Sequence, residues 1–406
     1  MAVGLSGLPR LYPVAGIRLG TAAAGIRRAG RPDLVVIDCV PGTNTVATFT
    51  RNQFCAAPVL LARAHLSVSA PRALLINTGY ANAGTGEPGY QDALACCTAL
   101  ARQMHYAVPQ VLPFSTGIIG ERLPVERMVQ ALPACIAALS ESGWEEAAHG
   151  IMTTDTVAKG SSRQVNIDGT TVTVTGIAKG AGMIQPNMAT MLAFVATDAA
   201  IDRDELQRCI QAAVRDSFNR ITVDGDTSTN DACVLLATGR AGNTPINKNT
   251  SASYTLFAQA VREVFTELAQ ALVRDAEGAT KFITIEVAGG RSEAECAAVA
   301  YTIAHSPLVK TSFFAGDPNW GRILMAIGRA PIDKLDIGAV SIYLNNTCVF
   351  TNGGIAKDYR ESDATAVMRL PEFTVRVTLG NSVHQARVWT CDLSHEYIRI
   401  NAEYRA

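Results

Sequence analysis

The stretch VNIDGTTVTVTGIAKGAGMIQPNMATMLAFVATDA, residues 165–199, decides how the chain is read. Its first part alternates around Asp168-Gly169, a two-residue hairpin turn, so residues 165–176 read as two antiparallel strands. Its last part, MLAFVATDA, is an apolar run that reads as a buried strand beginning directly after Thr190. The segment between, GIAKGAGMIQPNMATM, carries three glycines, Pro186 and a lone lysine, Lys179. Glycine permits unusual backbone angles and proline fixes one, so such a segment can hold a strained peptide bond. Thr190 is then either an ordinary loop residue ahead of a strand, or the residue at which the chain is cut, with the new N-terminal threonine as nucleophile.

Outward from this stretch, LVVID and ALLIN read as short buried strands. YQDALACCTALARQM (90–104) and PVERMVQALPACIAAL (124–139) read as amphipathic helices, with Pro124 suited to a first turn. Between them QVLPFSTGIIG is a strand that runs into a glycine-bearing turn. Downstream, the helical patterns RDELQRCIQAAVRDSF, TLFAQAVREVFTELAQALVRDA and EAECAAVAYTIAH are interleaved with the strand TKFITIEVA. AVSIYLNNTCVF and FTVRVTLGNSVHQARVWTCDL read as antiparallel strands. Helices and strands interleave, but the hairpins argue against a purely parallel sheet. The expectation is a mixed α/β chain with helices packed on sheets.

Composition narrows the function. The 406 residues are 48% apolar and 17% charged, with 36 acids against 35 bases, and no basic stripe points to nucleic acid. No apolar run reaches the length of a membrane span, and Pro9, Arg10, Pro13 and Arg18 break any signal-peptide pattern. The ten cysteines form no C-x-x-C pair and sit in apolar contexts, as small buried hydrophobes of a reducing cytoplasm do. The six histidines form no metal-ligand grouping, so no metal site is expected.

Gly84, Gly86 and Gly89 match the G-x-G-x-x-G spacing of a dinucleotide loop. NTGYANA intervenes after the strand, however, and Pro88 removes an N–H where a pyrophosphate would bind, so a surface turn is the better reading. DGDTSTND begins like a calcium loop but lacks its sixth-position glycine and twelfth-position glutamate, and reads as a self-bonded turn. PFSTGIIG places Thr116 and Gly117 at a strand end, where a hydroxyl beside a glycine N–H fits either an oxyanion hole or a plain strand-terminal turn. MTTDT is a helix cap or a ligand contact.

Together MTTDT, KGAGMIQPNMATM, TVDGDTSTND, RDAEGATKF, SPLVKTSFFAGDPNWGR and YIRINAEY resemble, in order and spacing over nearly the whole chain, the ornithine acetyltransferases, also called glutamate N-acetyltransferases, of the cyclic arginine pathway. The resemblance implies self-cleavage between Ala189 and Thr190 into fragments 1–189 and 190–406 that stay interleaved and pair as a heterotetramer of two of each. It implies Thr190 as nucleophile, Thr116 and Gly117 as oxyanion hole, and Thr153, Lys179, Thr190, Glu277 and Asn401 as substrate contacts. Lys179 suits a carboxylate and Glu277 an amino group. Family members usually end in Thr or Ser; here the chain ends in Ala406, which leaves a backbone or terminal-carboxylate contact. The implied fold is a layered α/β structure distinct from the usual N-terminal nucleophile hydrolase sandwich.

The implied reaction moves an acetyl group from N-acetylornithine to Thr190 and then to glutamate, with no cofactor. Acetyl-coenzyme A is a second donor in some members. An N-terminal threonine or serine amidohydrolase or aminopeptidase is the alternative, and would release its acyl group to water.

Overall fold

A computed structural model describes residues 2–27, 29–185 and 191–403. Its contacts divide them into a larger unit, drawn from 6–219 and 226–272, and a smaller one, drawn from 1–5, 220–225 and 273–404. The larger unit contains strands β1 (Ile17–Ala22), β2 (Leu34–Cys39), β3 (Asn44–Phe49), β4 (Ala73–Tyr80), β5 (Val111–Ile118), β6 (Lys159–Ile167), β7 (Thr170–Lys179), β8 (Leu192–Thr197) and β9 (Ala232–Ala237). Its helices are α1 (Ala57–Val68), α2 (Gly86–Met104), α3 (Val125–Ala137), α4 (Trp144–Gly150), α5 (Arg203–Asp216) and nearly all of α6 (Ala252–Arg274).

Two sheets form, ordered β1-β2-β4-β5 and β3-β9-β8-β7-β6. The 165–176 hairpin is β6–β7, and its turn residues Asp168 (φ 51°) and Gly169 (φ 87°) both take the positive φ that such a turn requires. β4–β5 and β8–β9 are parallel, and the other pairs are antiparallel. The sheets share one core, in which Val35, Leu74 and Phe114 of the first meet Ile177, Phe194 and Val234 of the second. Phe114 and Phe194 stand edge to face with centroids 5.1 Å apart. The outer face of the first sheet is covered by α2 and α3 through Leu100, Met128 and Leu132. α6 presses on the second, where a Cβ at Gly176 would lie 3.1 Å from Leu268. Strands covered on both faces read as unbroken apolar runs, which is why β2, β8 and β9 are buried throughout.

The smaller unit contains β10 (Phe282–Gly290), β11 (Ser341–Leu344), β12 (Thr347–Thr351), β13 (Gly354–Ile355), β14 (Glu372–Thr378) and β15 (His384–Cys391). Its helices are α7 (Glu293–Ala304), α8 (Pro307–Ala315), α9 (Trp320–Gly328), α10 (Glu361–Met368) and α11 (His395–Glu403). One sheet, β13-β12-β11-β14-β10-β15, buries Ile283, Ile285 and Val375 against Val299, Ile303 and Phe313. SPLVKTSFFAGDPNWGR forms α8 and α9, capped by the Ser306 and Asn319 side chains.

The mixed, layered α/β expectation holds, with two local differences. The two strands of 373–393 are not neighbours: β10 lies between them, parallel to β14 and antiparallel to β15. Alternation reveals a strand's buried face but not its partner. GTGEPGY is no surface turn, because α2 starts at Gly86. A Cβ on Gly89 would lie 1.9 Å from the Thr85 hydroxyl and 2.4 Å from the Asn82 amide oxygen, so the glycine is there for packing. All ten cysteines are unpaired and eight are buried; burial pushes the Cys39 and Cys96 thiols up to about 12.

Candidate active site

The parallel pairing of β4 with β5 sets Thr78 beside Thr116 and Gly79 beside Gly117. Both glycines have positive φ, 118° and 134°. A Cβ on Gly117 would lie 2.2 Å from the Gly79 carbonyl carbon and 2.7 Å from the Tyr80 nitrogen. Only bare backbone fits this crossing. It ends β5 with the Thr116 hydroxyl and an uncluttered main chain side by side.

Lys179 ends β7, opposite Leu192, the first residue of β8. Its ammonium donates to the Thr116 hydroxyl at 3.3 Å, so two expected site residues from different sheets meet. Beneath them lies Asp155, the acid of MTTDT. One of its oxygens accepts the Lys159 ammonium at 2.6 Å and the Gly180 N–H at 2.7 Å, and the other accepts the Thr153 N–H at 2.9 Å. The Asp155 and Lys159 side chains are both fully buried. Burial alone would raise the Asp155 carboxyl, but Lys159, Lys179 and the Gly180 N–H together hold it well below the usual carboxylate range. Through this one carboxylate Thr153 is tied to the end of β7.

The DGDTSTND loop closes the arrangement. The buried Asn230 amide donates to the Ala81 and Ser115 carbonyls at 2.6 and 2.9 Å, stitching the loop to the segments that flank the glycine crossing. The Ser115 hydroxyl in turn donates to Asn77 at 2.6 Å. Asp231, 2% exposed, accepts the Met191 N–H and the Ser228 N–H and hydroxyl; burial nevertheless pushes its carboxyl well above the ordinary range. Thr190, Ala189 and Ala406 lie outside the described residues. Met191, which follows Thr190, is buried, and its carbonyl accepts the Ala232 N–H at 3.0 Å.

In the smaller unit, Asn401 on α11 donates to the Glu277 carboxylate at 2.8 Å and to the Tyr397 carbonyl at 3.0 Å. Gly278 at φ 69° lets the Glu277 turn approach α11; a Cβ there would lie 2.4 Å from the Tyr397 nitrogen. The Ser394 hydroxyl bonds the Gly278 carbonyl at 2.6 Å. The expected residues thus fall into two groups, Thr116, Gly117, Thr153 and Lys179 in the larger unit and Glu277 with Asn401 in the smaller. Sequence reasoning passed over Gly79, Asp155, Asn230 and Asp231. The last three stand inside motifs it had singled out, and Asp155 precedes Lys159 by four residues, a detectable pairing signal.

A layered α/β fold with a threonine, a glycine crossing and a lysine at its strand ends defines the class, an acyltransferase. The chain belongs to the ArgJ family, whose description matches residues 18–406. The arginine biosynthesis bifunctional protein ArgJ of Pseudomonas fluorescens (strain Pf0-1) is 54% identical over 405 residues, covering 100% of each chain. Its namesake in Methylococcus capsulatus (strain ATCC 33009 / NCIMB 11132 / Bath) is 57% identical over 396 residues, 98% of this chain and 97% of that one. The crystal structure of arginine biosynthesis bifunctional protein argJ from Bacillus halodurans matches with 38% identity and a TM-score of 0.51, covering 53% of this chain and 100% of that chain. The chain is accordingly an enzyme of arginine biosynthesis.

Proposed function

We propose that this enzyme cuts itself between Ala189 and Thr190 and then carries acetyl groups from N2-acetylornithine to glutamate on the Thr190 hydroxyl. The observation that carries this reading is the 3.3 Å contact of Lys179 with Thr116 beside the Gly79–Gly117 crossing, on a strand whose neighbour β8 begins two residues after Thr190. In the cut, the Thr190 oxygen attacks the Ala189 carbonyl carbon. The peptide nitrogen leaves as an α-amine, taking the hydroxyl proton, and water then hydrolyses the ester to free the Ala189 carboxylate.

That α-amine serves as base for its own hydroxyl. The hydroxyl attacks the acetyl carbonyl of N2-acetylornithine while Thr116 and Gly117 stabilise the oxyanion. The ornithine nitrogen leaves with a proton, and an acetyl ester remains on Thr190. The glutamate amine attacks that ester, and N-acetylglutamate departs as the hydroxyl is restored. Lys179 receives a substrate carboxylate, Glu277 the ornithine amino group, and Thr153 and Asn401 complete recognition.

Strand order supports interleaved fragments, because β8 and β9 of the second lie between β7 and β3 of the first. We read the assembly as two copies of each fragment in the cytoplasm. The word bifunctional in the relatives' names supports acetyl-coenzyme A as a second donor to glutamate.

A denaturing gel and an acetyl-transfer assay test the reading. Two bands, with ornithine released in step with N-acetylglutamate, are expected. A single full-length band refutes the cut. Acetate released without glutamate assigns the chain to the hydrolases instead.

A further inference from the structure

We propose that Asp231 is a positioning residue for the Thr190 chemistry, anchoring the Met191 amide at the entrance of β8. The inference rests on the acetyl-transfer reading and deepens it. Asp231 ends the DGDTSTND loop and is 2% exposed. Its carboxyl accepts the Met191 N–H, with the Ser228 N–H and hydroxyl beside it. Its own main chain is pinned, since the Thr50 N–H donates to its carbonyl at 2.9 Å. The next residue, Ala232, takes the Met191 carbonyl and lies opposite Leu192 in the parallel register. Met191 is thus held at both N–H and C=O by consecutive residues of one loop. Met191 is peptide-bonded to Thr190, so this grip fixes the chain at the bond that follows the nucleophile.

The second carboxyl oxygen, Oδ2, has no hydrogen-bond partner among the described residues, although it is buried. An orphaned buried polar atom is costly, and it points to a group that the reaction supplies. The charged and titratable neighbours of Asp231 are Lys179 on β7 and Cys55 ahead of α1. Lys179 already has Asp155 as a counter-charge. Burial therefore outweighs Ser228 and Lys179, and the carboxyl keeps its proton at neutral pH. This has a chemical use. A charged carboxylate at the Met191 amide would stabilise the ammonium form of a nearby α-amine and remove the base, whereas a neutral acid holds the chain without that effect.

The test compares wild type, Asp231→Asn and Asp231→Ala, each as purified full chain. Cutting is read on a denaturing gel, and single-turnover acetylation of the fragment starting at Thr190 is read by mass across about pH 6–9, spanning the α-amine's ordinary range. The amide of Asp231→Asn is neutral and can still accept the Met191 N–H, so its pH profile should match wild type, with a rate within about threefold. Asp231→Ala should lower the acetylation rate roughly 10²-fold with half-saturation nearly unchanged, the signature of lost orientation rather than lost binding. An Asn variant whose ascending limb moves down by about one pH unit would mean a charged carboxylate and overturn the proposal. An Ala variant as fast as wild type overturns it as well, and if that variant does not fold, the Asn profile decides alone. A wild type that never acetylates would bring down the acetyl-transfer reading and this proposal together; an acetylated wild type with indifferent variants refutes only the role of Asp231.

Discussion

Asp155→Asn should be among the most destabilising single changes in the larger unit. The substitution keeps shape and removes one charge. Asp155 accepts from the Lys159 ammonium and the Gly180 N–H on one oxygen and from the Thr153 N–H on the other. An amide offers one oxygen, so its NH2 must face a donor whichever way it turns. The larger effect is electrostatic. Both side chains of the pair have zero exposure, so the Lys159 ammonium would be left buried without its counter-charge. Breaking such a pair costs roughly 3–5 kcal/mol, or a hundredfold and more in the folding equilibrium. The assay is urea unfolding, with hydrogen exchange of the β6–β7 amides locating the loss. Asp92→Asn, which removes the partner of the half-exposed Arg122, serves as control and should change little. The pH dependence adds a second arm. The folded carboxyl is held below its ordinary value, so its stabilisation is complete above the unfolded value of about 4 and drains away as pH falls below it. Asp155→Asn should flatten that acid limb. A variant with a wild-type midpoint and an unchanged acid limb would falsify the account of Asp155 as a buried hub.

Other expectations concern the site directly. Thr190→Ala should leave one uncut, inactive chain, while Thr190→Ser should still cut; an efficiently cut Thr190→Ala chain would mean that an external protease makes the break. Gly117→Ala puts a Cβ 2.2 Å from the Gly79 carbonyl carbon, so the strand ends must part and turnover should fall, which a kcat measurement on folded variant checks. Thr116→Ala should lower kcat by roughly 10²–10³ with KM little changed, as for loss of one oxyanion donor, and a variant that loses binding instead would reassign Thr116 to recognition. Glu277→Gln should raise KM for N2-acetylornithine more than for glutamate, measured by steady-state kinetics, because only ornithine brings a second amino group.

What the sequence determined by itself is local. The Asp168-Gly169 turn, the unbroken runs of β2 and β8 and the 3.6-residue pattern of α5 each satisfy their own backbone and declare their own buried face, so their type can be read without neighbours. The candidate residues Thr116, Gly117, Lys179 and Glu277 were legible because their chemistry is carried by residue type within short motifs. Tertiary structure alone decided who meets whom. Lys179 and Thr116 touch across 63 positions of chain, Asn230 reaches Ser115 across 115, and β10 separates two strands that follow each other in sequence. No local pattern encodes these pairings, because a strand's hydrogen bonds are equally well met by any partner with a matching face. Nor could the sequence assign Asp155 and Asp231 opposite ionisation. Both are buried acids in polar motifs, but Asp155 lies against two lysines, whereas burial outweighs the pull of Lys179 on Asp231. In a low-dielectric interior it is the placement of counter-charges, set only when the sheets pack, that decides which acid keeps its proton.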